Sequence, residues 1–373
     1  MQEFDVAVVG GGIIGCALAF ELAQQRKKVC ILEQNELGRE ASWAAAGMLA
    51  AQAETKEPDS LFEWLCASRE IYPHWCQQIE RLSGQDPGFY NSGTITLIGA
   101  TANEQRLADE ILQWQSARNL QIERISAAQV AQLEPDLAFA HDGALYFPND
   151  HHADNRLLVP ALAAACEQLG VSVFAYHPVH QITPGCPVRL AAGNHIFTAT
   201  QVAITTGAWT QRWQETLDCR LPVFPVKGEM VALQNFPIHS RHIIIGNGIY
   251  IIPRHRDFTL VGSTLDFGTF DKSVTAGGVA FLLARAMEMF PKACSAPLAS
   301  TWAGLRPCTP DRMPIVGPIG KVRDIWVASG HYRNGILLAP LTARVLAEAM
   351  AGKPASRFLT MFSPERFQHA WKA

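Results

Sequence analysis

FDVAVVGGGIIGCALAFELAQQRKKVCILE, residues 4–33, decides the fold. A β-branched run leads into Gly10, Gly12 and Gly15, spaced G-x-G-x-x-G. A helical stretch and a second apolar run follow, and the second run closes on Glu33. The pattern reads as strand, tight turn, helix, strand. Gly10 permits the turn, Gly12 lets backbone approach a pyrophosphate, and Gly15 lets helix and strand pack closely. The helix N-terminus then presents N–H groups and a positive dipole end to phosphates. Glu33, 18 residues after Gly15, is placed to accept from both ribose hydroxyls. A glycine-rich turn without a ligand is the competing reading. The flanking strands, helix and terminal acid together favour dinucleotide binding.

Outward from this unit, composition limits the alternatives. A chain of 373 residues suits two domains of roughly 100–200 residues each better than one core. Hydrophobic residues make up 48% and charged ones 17%, with a net charge of −3. That describes a well-buried globular protein with no electrostatic signature for nucleic acid or anionic lipid. The nine cysteines (16, 30, 66, 76, 166, 186, 219, 294, 308) are dispersed without a CxxC. Such a set points to reduced thiols and a cytoplasmic setting. The apolar run at 6–20 is broken by glycines and preceded by acids. It fits neither a signal peptide nor a membrane span.

Four further stretches carry structure or chemistry. GREASWAAAGML (38–49) is small and irregular, suited to close approach of a planar group or simply to tight helix packing. WAGLRPCTPDRMPIVG (302–317) sets Arg306 before Pro307 and reads as a rigid loop. A guanidinium there matches a carboxylate bidentately, which lysine cannot do; a structural ion-pairing or carbonyl-capping arginine is the other reading. Asn334-Gly335 is a turn pair leading into an apolar-periodic helix. DHHAD (150–154) has crowded metal-type ligands and no distant partner. It reads as a polar loop with Asp154 capping the next helix, so no metal is expected.

Residues 90–99 and 224–233 read as strands, 249–264 as a hairpin around Arg256-Asp257, and 103–120 as a helix.

Taken in order, the opening fingerprint, ASWAAAGML (41–49), ITTGAW (204–209), GLRP (304–307) and GHYRNGILLAP (330–340) resemble the FAD-dependent amine oxidases related to D-amino acid oxidase and sarcosine oxidase. The resemblance runs from end to end. It implies an α/β fold, α+β overall, with a Rossmann-like FAD-binding domain that is discontinuous in sequence (1–82, 142–218 and 306–373). Residues 83–141 and 219–305 would form a second, antiparallel-sheet substrate domain. It places Ile13 and Ile14 at the pyrophosphate turn, Glu33 and Gln34 at the adenosine ribose, and the Val179 backbone at adenine. Ala41, Ser42, Ala46, Gly47, Met48 and Gly207 would lie along the cofactor. His331, Tyr332, Arg333, Asn334, Gly335, Ile336 and Leu337 would wrap the isoalloxazine. On the substrate side, Arg306 falls on the family's carboxylate-binding arginine and Tyr250 on a pocket tyrosine able to donate to the same carboxylate. Arg333 falls on a second arginine near substrate and flavin. Leu265 stands where relatives carry a methionine, and Gly248 replaces a bulkier residue, which would widen the pocket. Relatives that bind FAD covalently use a cysteine shortly before a TPD motif. Here Thr309-Pro310-Asp311 is present, Gly304 takes that cysteine's place and Cys308 sits elsewhere, so FAD is expected to be non-covalent. In the DHHAD segment, Asn155 replaces a proline of close relatives, a change expected to have no chemical consequence.

The implied activity is oxidation of glycine, sarcosine or small D-amino acids. The neutral amine would lose hydride to flavin N5. The imine would hydrolyse to an α-keto acid (glyoxylate from glycine) and ammonia, or feed thiazole formation in thiamine biosynthesis. O2 would reoxidise the flavin and give hydrogen peroxide. Relatives suggest a homo-oligomer such as a tetramer. The alternatives are a flavin dehydrogenase that bypasses O2, a tRNA-modifying flavoprotein, an FAD-binding regulatory module and an NAD-dependent dehydrogenase.

Overall fold

The computed structural model describes residues 2–234, 240–254, 258–320 and 322–370. The glycine fingerprint folds as its pattern requires: strand Gln2–Val9, helix Ile13–Gln24, strand Val29–Leu32, with the two strands parallel. The helix is apolar on every side and buried from Ile13 through Phe20, so it needs cover all round. Helices Gly335–Met350 and Asn155–Gln168 supply that cover opposite the sheet. They lock the last quarter of the chain onto its first turn.

The first sheet continues on both sides of this core. Ser172–Phe174 adds in parallel to Val29–Leu32. His195–Ile204 runs parallel to Gln2–Val9 along its whole length. Its far edge is shared. Val188–Ala192 pairs antiparallel with its first half, and Val322–Ser329 pairs parallel with its last residues. The second sheet holds nine strands in the order Asp266–Phe267, Phe224–Gln234, Phe258–Gly262, Ile249–Arg254, Ile243–Gly246, Thr94–Leu97, Ala144–Phe147 and Glu123–Ile125, with Leu298–Cys308 added to Phe224–Gln234. It is antiparallel except where Ile243–Gly246 meets Thr94–Leu97 in parallel. Helix Ala276–Met289 covers one face through Leu282, Ala286 and Met289.

The expected strands at 224–233 and the helix in 103–120 (Ala102–Ser116) are present. In the 90–99 stretch the strand proper is Thr94–Leu97. The hairpin arms Ile249–Arg254 and Phe258–Gly262 pair in register; its Arg256-Asp257 turn lies outside the described residues. Asp154 caps the Asn155–Gln168 helix, its carboxylate accepting from the Arg156 N–H at 3.0 Å.

Two features differ from the sequence reading. Ala144–Phe147 belongs to the second sheet, so that sheet reaches past residue 142. The first part of the stretch read as a rigid loop, 302–308, belongs to an eleven-residue strand, Leu298–Cys308, paired with Phe224–Gln234 with one irregularity at Ala232/Leu233. Pro307 lies opposite Pro225 near the strand end. There two residues without N–H donors face each other and the ladder loses little.

Asp150 forms a fully buried ion pair with Arg69 at 2.6 Å and also accepts from the Gln52 and Ala53 N–H groups. Its role is to fasten the Phe62–Ser83 helix to the chain just after the 38–49 segment.

Candidate active site

A cavity of about 580 Å³ runs between the two sheets. Glu33, Gln34 and Val179 line one part of it, the glycine turn another, and Arg306, Tyr250 and Gly248 a third. Gly10 has φ +107°, and a Cβ there would lie 2.6 Å from the Thr205 carbonyl oxygen. A Cβ at Gly15 would lie 2.0 Å from the Gly10 carbonyl oxygen. Both glycines are therefore steric requirements of the turn. The Ile13 N–H donates to Ser42 Oγ at 2.9 Å, tying the helix start to the 38–49 segment. Buried Glu33 accepts from the Gly11 N–H at 2.7 Å and the Asn35 N–H at 3.0 Å. Its carboxylate thus braces the turn that it borders.

The 38–49 segment forms a one-turn helix, Ala41–Ala44, and a short strand, Met48–Leu49. Small residues here serve close approach. A Cβ at Gly47 would lie 2.0 Å from the Ala153 carbonyl oxygen, and one at Gly304 would lie 2.3 Å from the Ala44 Cβ. No larger side chain fits at 304 without moving that helix, and Cys308 is not among the lining residues. Trp43 packs edge-on against Trp302 and carries the Arg156 guanidinium 3.9 Å from its ring centroid. Asn155 corrects the sequence reading: it is buried, and its amide donates to the Ser42 and Trp43 carbonyls at 2.7 and 2.8 Å. It holds the segment in place, which a proline could not do.

Arg306 extends from its strand across Gly228. A Cβ at 228 would fall 2.1 Å from Nη1, so only glycine leaves room for the guanidinium. Nη2 donates to Ser263 Oγ at 2.6 Å. Nη1 is buried and has no protein partner among the described residues, so this donor calls for an explanation. The Tyr250 hydroxyl donates to Met230 Sδ at 3.2 Å. Arg333 is half-exposed, with Nη1 3.9 Å from Glu54 Oε1. Burial pushes the Glu54 carboxyl up, against the pull of Arg333 and Arg306.

The remaining expected residues sort clearly. Ile14, Ala41, Ala46, Met48, Gly207, His331, Tyr332, Gly335 and Ile336 line the cavity. Leu265 does not; it is exposed, where the chain leaves the sheet centre for the edge strand Asp266–Phe267. Gly15 acts behind the wall through packing, and Leu337 is a core residue whose carbonyl accepts from Ser68. Asn334 lines an adjoining hollow with Arg333 and Glu54. Sequence reasoning missed Gly228 and Ser263. Their importance lies in what faces them from neighbouring strands, for which local sequence gives no signal.

His331 is fully buried, its Nε2 3.2 Å from Thr342 Oγ1. Burial pushes the imidazole down to about 3, from 6.5 in an unfolded chain. Between those values the unfolded chain binds a proton that the native one refuses. Stability is therefore full above pH 6.5 and lost as pH falls toward 3, by about 1.4 kcal/mol per pH unit. Melting curves from pH 7 to 4.5 are expected to show a shallower acid loss in His331→Gln; equal slopes would assign the loss to other groups.

This fold, a dinucleotide turn joined to a second sheet over a shared cavity, is matched by a family model. Residues 5–349 match the family described as FAD dependent oxidoreductase, and the chain belongs to it. It is similar to the glycine oxidase of Geobacillus kaustophilus, at 37% identity over 98% of this chain and 97% of that protein. The crystal structure of that enzyme superposes with a TM-score of 0.93, at 36% identity, covering 97% of this chain and 98% of the other. The chain is also 33% identical, over 97% of its length and 54% of the relative's, to a Synechocystis protein named bifunctional protein ThiO/ThiG. FAD is accordingly the cofactor. The glycine turn at residues 10–15 and the cavity's extent fit a large dinucleotide. No helix among the described residues is long and apolar enough to cross a membrane.

Proposed function

We propose that this protein is an FAD-dependent amino-acid oxidase that deaminates glycine and other small amines such as sarcosine and small D-amino acids. One observation carries the reading: the Arg306 guanidinium lines the cavity beside Gly228 and Ser263, and its buried Nη1 has no partner among the described residues. FAD supplies the hydride acceptor, and O2 reoxidises it with release of hydrogen peroxide. The chain's part is orientation. Arg306 grips the substrate carboxylate, and Tyr250, on the same cavity wall, donates to it. Holding the reacting atoms about 3–3.5 Å apart supplies much of the catalysis. No side chain is assigned as general base. The imine yields glyoxylate and ammonia from glycine, or passes to thiazole formation in thiamine biosynthesis; the 37% identity to a glycine oxidase supports this substrate class. The two sheets serve as an FAD-binding unit and a substrate unit. We assign FAD as non-covalent, and the protein as a cytoplasmic homo-oligomer.

The test is an absorbance spectrum followed by peroxide release with glycine, sarcosine, D-alanine, D-proline and their L-forms. A flavin that none of them reduces would sink the assignment. A companion variant, Gly228→Ala, forces the guanidinium off its bed. It is expected to raise KM for glycine about tenfold, the equivalent of one charge-assisted hydrogen bond, with FAD content unchanged. A KM equal to that of the wild type would show that Arg306 finds its place without the gap.

A further inference from the structure

We propose that Ser263 contacts the substrate: its hydroxyl accepts from Arg306 and donates its own hydrogen to the carboxylate. The inference rests on the amino-acid oxidase reading above and names a donor beyond Arg306 and Tyr250.

A hydroxyl has one hydrogen and two lone pairs. In Ser263 the oxygen accepts from Arg306 Nη2 at 2.6 Å, and no acceptor for its hydrogen is found among the described residues. A guanidinium accepts nothing, so the hydroxyl hydrogen must turn away from it. Ser263 lines the cavity beside Arg306, Gly228 and Tyr250; the cavity is therefore where that hydrogen is free to point. A hydroxyl already accepting from a cation is polarised and donates more strongly, most of all to an anion. The backbone brings the donors together. Gly262 stands opposite both Tyr250 and Met230 in the sheet. A Cβ there would lie 2.5 Å from the tyrosine ring and 2.3 Å from the methionine sulfur. Its absence leaves room for the Tyr250 ring at residue 262, next in the chain to Ser263.

The result is a cluster rich in donors: the Arg306 guanidinium, the Ser263 O–H, and the Tyr250 O–H, whose hydrogen rests on the weakly accepting Met230 sulfur and can turn to a stronger acceptor. Such a cluster suits an acceptor-only group. A carboxylate satisfies it, whereas a carboxamide would set its own N–H2 against one donor and leave that donor unpaired. Ser263 thus takes part in choosing free amino acids over amino amides.

The experiment uses FAD-loaded protein and Ser263→Ala. Titration with glycolate, followed by the flavin spectrum, is expected to give a Kd about tenfold above wild type. KM for glycine is expected to rise by a similar factor, kcat to fall by less, and the preference for glycine over glycinamide to shrink. The pair Ser263→Thr and Ser263→Val, alike in shape, isolates the hydroxyl: Thr binds glycolate near the wild-type value and Val resembles Ala. Equal Kd values for Thr and Val, or a wild-type Kd in Ser263→Ala, would overturn the proposal. If glycolate left the wild-type spectrum unmoved and glycine left its flavin unreduced, the underlying oxidase reading would fall with it.

Discussion

Arg306→Ala is expected to lower kcat/KM for glycine by about 10²- to 10⁴-fold, the cost of about 2–5 kcal/mol when one member of a desolvated charge pair is removed. The argument starts from packing. Arg306 lies over Gly228, fastened by Ser263, so its direction is set before any ligand arrives. Its Nη1 is buried with no protein partner among the described residues, an arrangement that costs free energy until something completes it. A substrate carboxylate meets that need and gains its orientation from it. Arg306→Lys is expected to recover little, since one ammonium cannot hold Ser263 and two carboxylate oxygens in a single plane. FAD content should match wild type, because the glycine cradle that binds the dinucleotide lies elsewhere in the cavity. Anaerobic bleaching of the flavin against glycine concentration reads the effect directly. Bleaching by the alanine variant within threefold of wild type would remove Arg306 from the substrate.

The parts of this picture that could be read in the sequence are those whose cause is local. The fingerprint was legible because Gly10, Gly12 and Gly15 sit within one turn, and their spacing is the constraint itself. Asp154 was legible as a cap because it is adjacent to the helix it caps. Arg306 was legible as a residue but not as a position. Three prolines suggested a loop, and only the partner strand shows why Pro307 is tolerated opposite Pro225. Gly228, Gly262, Ser263 and Asn155 act on groups distant in the chain. Gly228 makes room for a guanidinium 78 positions on. Asn155 holds carbonyls more than a hundred positions back. Strand register creates these meanings, and register is not written in any one segment. The same reason explains Leu265: alignment with relatives gave it a place in the pocket, while pairing of Asp266–Phe267 with Val226 and Lys227 carries the chain outward.

Gly15→Ala is expected to do the greatest damage to the cofactor site. In a helix interior, alanine is normally favoured over glycine by about 1 kcal/mol, so propensity predicts a gain. Geometry predicts the reverse. The added Cβ would sit 2.0 Å from the Gly10 carbonyl oxygen and 2.7 Å from Thr205 Oγ1. Neither can yield cheaply. Gly10 is backbone at φ +107°, and the Thr205 hydroxyl is itself bonded to the Val9 and Gly10 carbonyls at 3.0 and 2.8 Å. The helix must back away from the strand, taking the phosphate-facing N-terminus with it. Overpacking of this kind costs about 1–3 kcal/mol, which lowers Tm by roughly 1–4 °C in a chain of this size and weakens FAD binding by about tenfold or more. The control is Gly277→Ala. That glycine is also helical, but a Cβ there meets nothing within 4 Å, so the ordinary gain in propensity should appear. Flavin absorbance per protein and melting temperature, compared across the two variants, separate the causes. If both alanines stabilise alike, with FAD retained, the close contact at the turn does not govern the cofactor site.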